Sequence, residues 1–236
     1  MLREIDRHYL EQYKEKYVMN CPICHGTFPG CTCWADFKLE IAKVSAGIPI
    51  KFRQFKLKQL THPQLVKQKE LIKNYIKNLN QNRGSGNSLY IYGTKGTAKS
   101  MCASIIIMNA LKHNFKAYYF DSMKAISEML KQDWHNDEET LSNIITTYDF
   151  IVVDNLDLED VPNQNVLATI KSLFYTRANN LLPTIFVSSV PISKLALPLD
   201  GAIIEYFTPV LTDIYFNGFD YAEAVLKKVR GKKNGN

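Results

Sequence analysis

The chain has 236 residues, 46% of them hydrophobic and 22% charged, which suits one full globular domain with a smaller unit beside it. No apolar run approaches the roughly 20 residues that span a bilayer. Charge throughout Met1–Lys16 excludes a secretory signal, so the composition predicts a cytoplasmic protein with reduced thiols and no membrane partner. The net charge of +6 is uneven: residues 1–86 carry 15 Lys/Arg against 7 Asp/Glu, and residues 87–236 carry 14 against 16. A basic front end suits a polyanion such as DNA, or simply a solvated helical face.

In chain order, residues 1–18 place Ile5, Tyr9, Tyr13 and Tyr17 at a spacing of four, which predicts an amphipathic helix. A cysteine cluster follows at 21–33. Trp34–Ala46 again reads as helix, with Phe37, Ile41 and Val44 on one stripe. A basic connector crosses 51–62, and Leu65–Leu79 reads as a lysine-rich helix. Asn80–Asn87 is rich in Asn and Gly and predicts a break.

Beyond the break, short apolar strands alternate with helices. The strand candidates are Ser88–Tyr92, Ala117–Phe120, Phe150–Val153, Thr184–Ser188 and Leu211–Phe216; the helices are 99–112, 123–131, 139–147 and 164–180. This rhythm predicts an α/β fold with a parallel sheet flanked by helices. The expected division is a helical, cysteine-rich module at 1–50, a basic linker and helix at 51–86, a nucleotide-binding domain at 87–226 and a basic tail at 227–236.

The sequence Gly93-Thr94-Lys95-Gly96-Thr97-Ala98-Lys99-Ser100 joins a predicted strand to a predicted helix. In that context G-x-x-x-x-G-K-[ST] is a phosphate loop, whose backbone N–H groups wrap phosphates at a helix N-terminus. Lys99 is expected to reach the β- and γ-phosphates of ATP, and Ser100 to ligate Mg2+. Phe150-Ile151-Val152-Val153-Asp154 reads as a buried strand ending in a carboxylate that holds the same Mg2+. Asn155 stands where a hydrolytic enzyme carries an acid. An amide is no general base, so hydrolysis is expected to be slow or absent. Asp157, Glu159 and Asp160 follow, and the reading expects them to point elsewhere unless the loop bends back. Ser189, at the end of the strand Thr184–Ser188, is the candidate sensor of the γ-phosphate.

Cys21-Pro22-Ile23-Cys24 and Cys31-Thr32-Cys33 give C-x2-C-x6-C-x-C. Four thiolates close together across Gly26, Pro29 and Gly30 predict a structural Zn2+ site, with His25 left out of the ligand set; a redox pair or an iron–sulfur site is the alternative. Cys102, in the helix after the phosphate loop, reads as a buried apolar residue.

Taken together, these motifs resemble the DnaC/DnaI-type replicative helicase loaders and their IstB-like relatives. The resemblance runs from the cysteine cluster through "Gly47-Ile48-Pro49…Phe52", the phosphate loop and the Asp154 strand. It continues through "Tyr175-Thr176-Arg177-Ala178-Asn179-Asn180-Leu181-Leu182-Pro183-Thr184-Ile185" to "Phe216-Asn217-Gly218-Phe219-Asp220-Tyr221". It implies an AAA+ P-loop domain, binding to a hexameric replicative helicase, delivery of single-stranded DNA, and ATP-dependent self-association. Ala98, Asn155 and Ser189 depart from the family pattern. Leu199–Phe207 holds no arginine, which leaves Arg177 as the sole candidate for an arginine finger between residues 84 and 229; a structural role on its helix is the other reading. Lys51, Arg53, Lys56 and Lys58, interleaved with Phe52 and Phe55, are the candidate single-strand contacts. Two other functions fit the same residues: an IstB-like transposition regulator, and a non-catalytic adaptor with a vestigial nucleotide site.

Overall fold

The computed structural model describes residues 3–122, 145–157, 164–195 and 208–218, with the single positions 201, 205 and 220. The predicted helix 123–131, most of the one at 139–147, Glu159, Asp160 and the basic tail lie outside the described residues.

Five strands form one parallel sheet: β1 (Ser88–Gly93), β2 (Ala117–Asp121), β3 (Phe150–Asp154), β4 (Thr184–Ser188) and β5 (Leu211–Phe216), in the order β2-β3-β4-β1-β5. Their side chains alternate between two cores. Leu89, Ile91, Phe150, Val152, Ile185 and Val187 face one cluster; Tyr90, Ile151, Val153 and Phe186 face the other. A sheet covered on both faces needs near-continuous apolar strands, which is why these segments read as unbroken apolar runs.

The described helices are α1 (Glu4–Lys14), α2 (Thr32–Ser45), α3 (Val66–Lys77), α4 (Leu79–Ser85), α5 (Lys99–Lys112) and α6 (Gln164–Asn179). Helix α5 is apolar almost all round, with Met101–Met108 wholly buried, and it fills the first core with Ile72 and Tyr75 of α3. On the other face Phe174 of α6 stacks on Phe186 of β4, with centroids 4.3 Å apart.

Two expectations change. The break expected at Asn80–Asn87 contains α4. Asn82 donates Nδ2 to the Tyr75 carbonyl at 2.9 Å, and Gly86, at φ 72°, ends the helix in the left-handed region. The turn signal was therefore real but belonged to the helix terminus. In the first helix, the buried positions are Asp6 and Leu10, while Ile5 and Tyr17 are exposed. Helix α1 runs into a π-helical turn at Glu15–Met19, whose wider winding carries Val18 rather than Tyr17 into the interior.

The front of the chain docks on the free edge of the sheet. The Tyr119 N–H of β2 donates to the Ala46 carbonyl at the end of α2, at 2.7 Å. Gly47, at φ 74°, lets the chain turn away there, and a Cβ in its place would meet the Tyr119 carbonyl at 2.9 Å.

Candidate nucleotide site and cysteine cluster

In a parallel sheet all strands end at one edge, and β1, β3 and β4 place Gly93, Asp154 and Ser188 there together. The loop from Gly93 to Ser100 leaves β1 and enters α5. Gly93 sits at φ 128°, where a Cβ would lie 1.9 Å from the Phe216 carbonyl, so no other residue fits. Ala98 occupies the left-handed region at φ 72° as N-cap of α5, a conformation that costs a non-glycine residue about 1 kcal/mol. The cost of losing the pattern's glycine therefore falls on the backbone. The Ala98 methyl packs against the core.

The Lys99 ammonium is buried and donates to the Gly93 and Thr94 carbonyls at 2.7 and 2.6 Å. Burial lowers its pKa, with Asp157 and Asp154 acting against that shift. Ser100 Oγ donates to Asp154 Oδ1 at 3.0 Å, and the Asn155 N–H donates to the same oxygen at 3.0 Å. The Tyr119 hydroxyl of β2 donates to Asp154 Oδ2. Burial still raises the Asp154 carboxyl above its usual range, despite these donors.

Asn155, exposed at φ 58°, turns its Nδ2 to Asp121 Oδ1 at 3.2 Å. The following loop does bend back. The Leu156 N–H donates to the Val187 carbonyl at 2.9 Å, and Asp157 Oδ1 accepts from Ser188 Oγ at 3.0 Å and from the Ser189 N–H at 2.8 Å. Asp157 thus returns to the pocket, against the expectation that it would point away.

Lys99, Ser100, Asp154, Asn155, Asp157 and Ser189 line one cavity of about 690 Å³, together with Lys51, Phe52 and Phe55 from the connector. That volume lies within the range of small-molecule and cofactor sites. Phe52 and Phe55 are half-buried against the first core, and the Lys51 ammonium lies 4.8 Å from the Phe52 ring centroid.

The four cysteines Cys21, Cys24, Cys31 and Cys33 are buried, and their sulfurs lie within 4.8 Å of one another. Cys21 Sγ is 3.9 Å from Cys31 Sγ, and Cys24 Sγ is 3.4 Å from Cys33 Sγ. A tetrahedral ion with bonds of about 2.3 Å would separate its sulfurs by about 3.8 Å, so the set fits Zn2+. His25 is exposed and is not among the converging groups. Burial raises the Cys24 thiol, but the Cys33 thiol and the Gly26 and Phe28 N–H groups outweigh this and hold it at about 7. Cys102 is fully buried, as a small apolar residue should be.

No protein-family model matches the sequence, and no curated protein matches it. Solved structures do. The DnaC helicase loader superposes with a TM-score of 0.61 at 18% identity, over 72% of this chain and 100% of that one. DnaI gives 0.60 at 19% identity, over 73% and 93%. AMPPCP-bound DnaA from Aquifex aeolicus gives 0.57 at 18%, over 79% of this chain and 57% of that one. The chain has the AAA+ fold of these replication proteins. At such identities the likeness establishes the fold and leaves the activity to be argued from the site.

Within this AAA+ sheet Arg177 lies at the opposite edge from the Gly93–Ser100 loop. It is wholly buried and clamps the starts of β3 and β4. Nε donates to Thr184 Oγ1, Nη1 to the Ile145 and Tyr148 carbonyls, and Nη2 to the Asp149 and Pro183 carbonyls. All five guanidinium N–H groups are engaged, so none is available to a phosphate on a neighbouring molecule. Arg53, a candidate strand contact, is also buried: Nη2 donates to Asp6 Oδ1 at 2.7 Å and Nε to the Ile48 carbonyl at 2.8 Å.

Sequence reasoning missed Tyr119 and left Asp157 aside. The tyrosine reads as an ordinary strand residue until β2 pairs with β3 and sets Tyr119 beside Val152, two residues before Asp154.

Proposed function

We propose that this chain is a cytoplasmic, ATP-binding DNA-replication factor that binds a hexameric replicative helicase and assists its loading onto single-stranded DNA. ATP serves as a switch, with weak or absent hydrolysis. The observation that carries the reading is the convergence of Gly93–Ser100, Asp154, Asp157 and Ser189 at one edge of an AAA+ sheet shared with the DnaC helicase loader.

In this reading the loop amides and Lys99 hold the β- and γ-phosphates. Ser100 and Asp154 hold Mg2+, which would neutralise phosphate charge, and Tyr119 orients Asp154. Phe52 offers an apolar wall for the base. Ser189, anchored by Asp157, faces the γ-phosphate. The amide of Asn155 cannot take a proton from water, and Arg177 is spent inside the fold, so the site favours binding over turnover. Zn2+ held by Cys21, Cys24, Cys31 and Cys33 would cross-link the segment between α1 and α2, fixing the surface offered to the helicase.

The test is affinity purification of the tagged chain from its host, with mass spectrometry of what is retained. Recovery of a hexameric helicase, lost in Cys21→Ser/Cys24→Ser and diminished in Lys99→Ala, supports the reading. Recovery of a transposase points instead to a transposition regulator, and nucleotide-independent retention of another protein points to an adaptor.

A further inference from the structure

The basic connector does not form one surface. Lys51 and Phe52 face the nucleotide cavity, whereas Lys56 and Lys58 face a second cleft of about 350 Å³ on the outer side of α5. This cleft is bounded by α2, the connector, α3 and α5 and, among the described residues, is lined by seven cationic side chains and no carboxylate. Three of the seven have partners among the described residues: Lys43 pairs with Glu40, Arg53 with Asp6 and Lys73 with Glu70. Lys56, Lys58, Lys77 and Lys112 are exposed and form no ion pair among the described residues. Between these charges the floor is apolar, with Phe55, Leu57, Ile76, Ile105 and Met108.

A ring of ammonium groups alone is often a solvated face, but Arg53 adds an independent sign. It is 1% exposed, its guanidinium lies 5.1 Å from the Tyr9 ring, and Nη1 is buried with no hydrogen-bond partner among the described residues. Arg53 is one of the residues that line the cleft, and its buried cation adds to the surplus positive charge there. Burial, then Lys43 and Lys56, lower the Lys112 pKa; Asp36 and Glu40 oppose this from a distance, and Glu40 is already bound by Lys43 and Tyr9. The cleft thus concentrates cations that repel one another until an anion enters.

We propose that this cleft binds the phosphate of a nucleotide unit, with the unit's apolar face against Phe55 and Met108 and its phosphate between Lys56, Lys77 and Lys112. A free nucleotide and the backbone of a single strand present the same chemistry. The strand source deepens the single-strand part of the function proposed above, whereas the site itself is independent of the phosphate loop.

The experiment uses fluorescence anisotropy of a labelled oligothymidylate and calorimetry with inorganic pyrophosphate, on the full chain. The variants are Lys99→Ala, Lys77→Glu/Lys112→Glu and the milder Lys77→Gln/Lys112→Gln. Circular dichroism and ATP binding by the cleft variants serve as controls for folding. The proposal expects Lys99→Ala to keep oligonucleotide binding. It expects the Glu pair to weaken that binding at least tenfold and to reduce the salt slope by about 1.4, at about 0.7 for each lost contact to a single strand. With pyrophosphate titrated in the Lys99→Ala background, so that the Gly93–Ser100 loop does not mask the cleft, loss of pyrophosphate binding alone on adding the Glu pair identifies a free anion as the ligand; loss of oligonucleotide binding identifies a strand. Wild-type binding of both by the Glu pair, or binding of neither by the wild-type chain, overturns the proposal. An intact ATP response in the same variants keeps that failure separate from failure of the nucleotide-switch reading.

Discussion

Replacing Arg177 by Met separates a structural clamp from an arginine finger. The thioether roughly fills the space of the arginine stem but donates nothing. The carbonyls of Ile145, Tyr148, Asp149 and Pro183 and the Thr184 hydroxyl would each lose a donor. A buried acceptor left bare costs about 1–3 kcal/mol. The several losses are partly offset because a buried cation no longer has to be desolvated. A net destabilisation of about 3–5 kcal/mol is expected, a large share of the roughly 5–15 kcal/mol that holds a domain folded. Arg177→Lys, with three donors for five acceptors, should lose about half as much. Urea denaturation followed by circular dichroism measures both variants, and nucleotide titration should find unchanged affinity in the folded fraction. A Met variant within about 1 kcal/mol of wild type that has lost ATP-dependent self-association would refute the clamp and restore the finger.

Tyr119→Phe removes one hydroxyl from Asp154 and keeps the ring's packing; we expect a loss of about 1.5–3 kcal/mol, read by denaturation at neutral pH. Asp154→Asn should do the opposite. The folded carboxyl titrates above its unfolded value, so its ionised form costs stability at pH 7, and that cost fades as pH falls through the folded pKa. The Asn variant should therefore melt higher than wild type at pH 7, with the difference closing below about pH 4, while Mg2+-dependent nucleotide binding is lost. A melting difference that does not vary with pH would show that the burial cost is wrongly assigned. The purified protein should carry one zinc per chain. A chelator or Cys33→Ser should release it and lower the stability of the segment around α2, measured by metal release and hydrogen exchange.

Much of the sheet was legible in the sequence because buried parallel strands are short apolar runs. Ile151–Val153 and Ile185–Val187 could hardly be anything else. The strand–loop–helix placement of Gly93–Ser100 and the convergence of the cysteine quartet were legible for a related reason: each is a local pattern whose spacing is its geometry. What escaped depended on contacts distant in sequence. Helix α4 forms from Asn-rich sequence because Asn82 finds the Tyr75 carbonyl and Gly86 closes the helix. Asp157 joins the pocket only when the chain folds against the end of β4. Arg53 looked like a surface cation because its partner Asp6 lies 47 residues away, in another helix.

The central claim, that the groups at the sheet edge form a nucleotide switch, is tested most directly by calorimetric titration of the full chain with Mg2+-ATP, beside Lys99→Ala. The account predicts a single saturable site in the wild-type chain, with affinity reduced at least tenfold in the variant. Equal binding by the two proteins, or none by either, would contradict it.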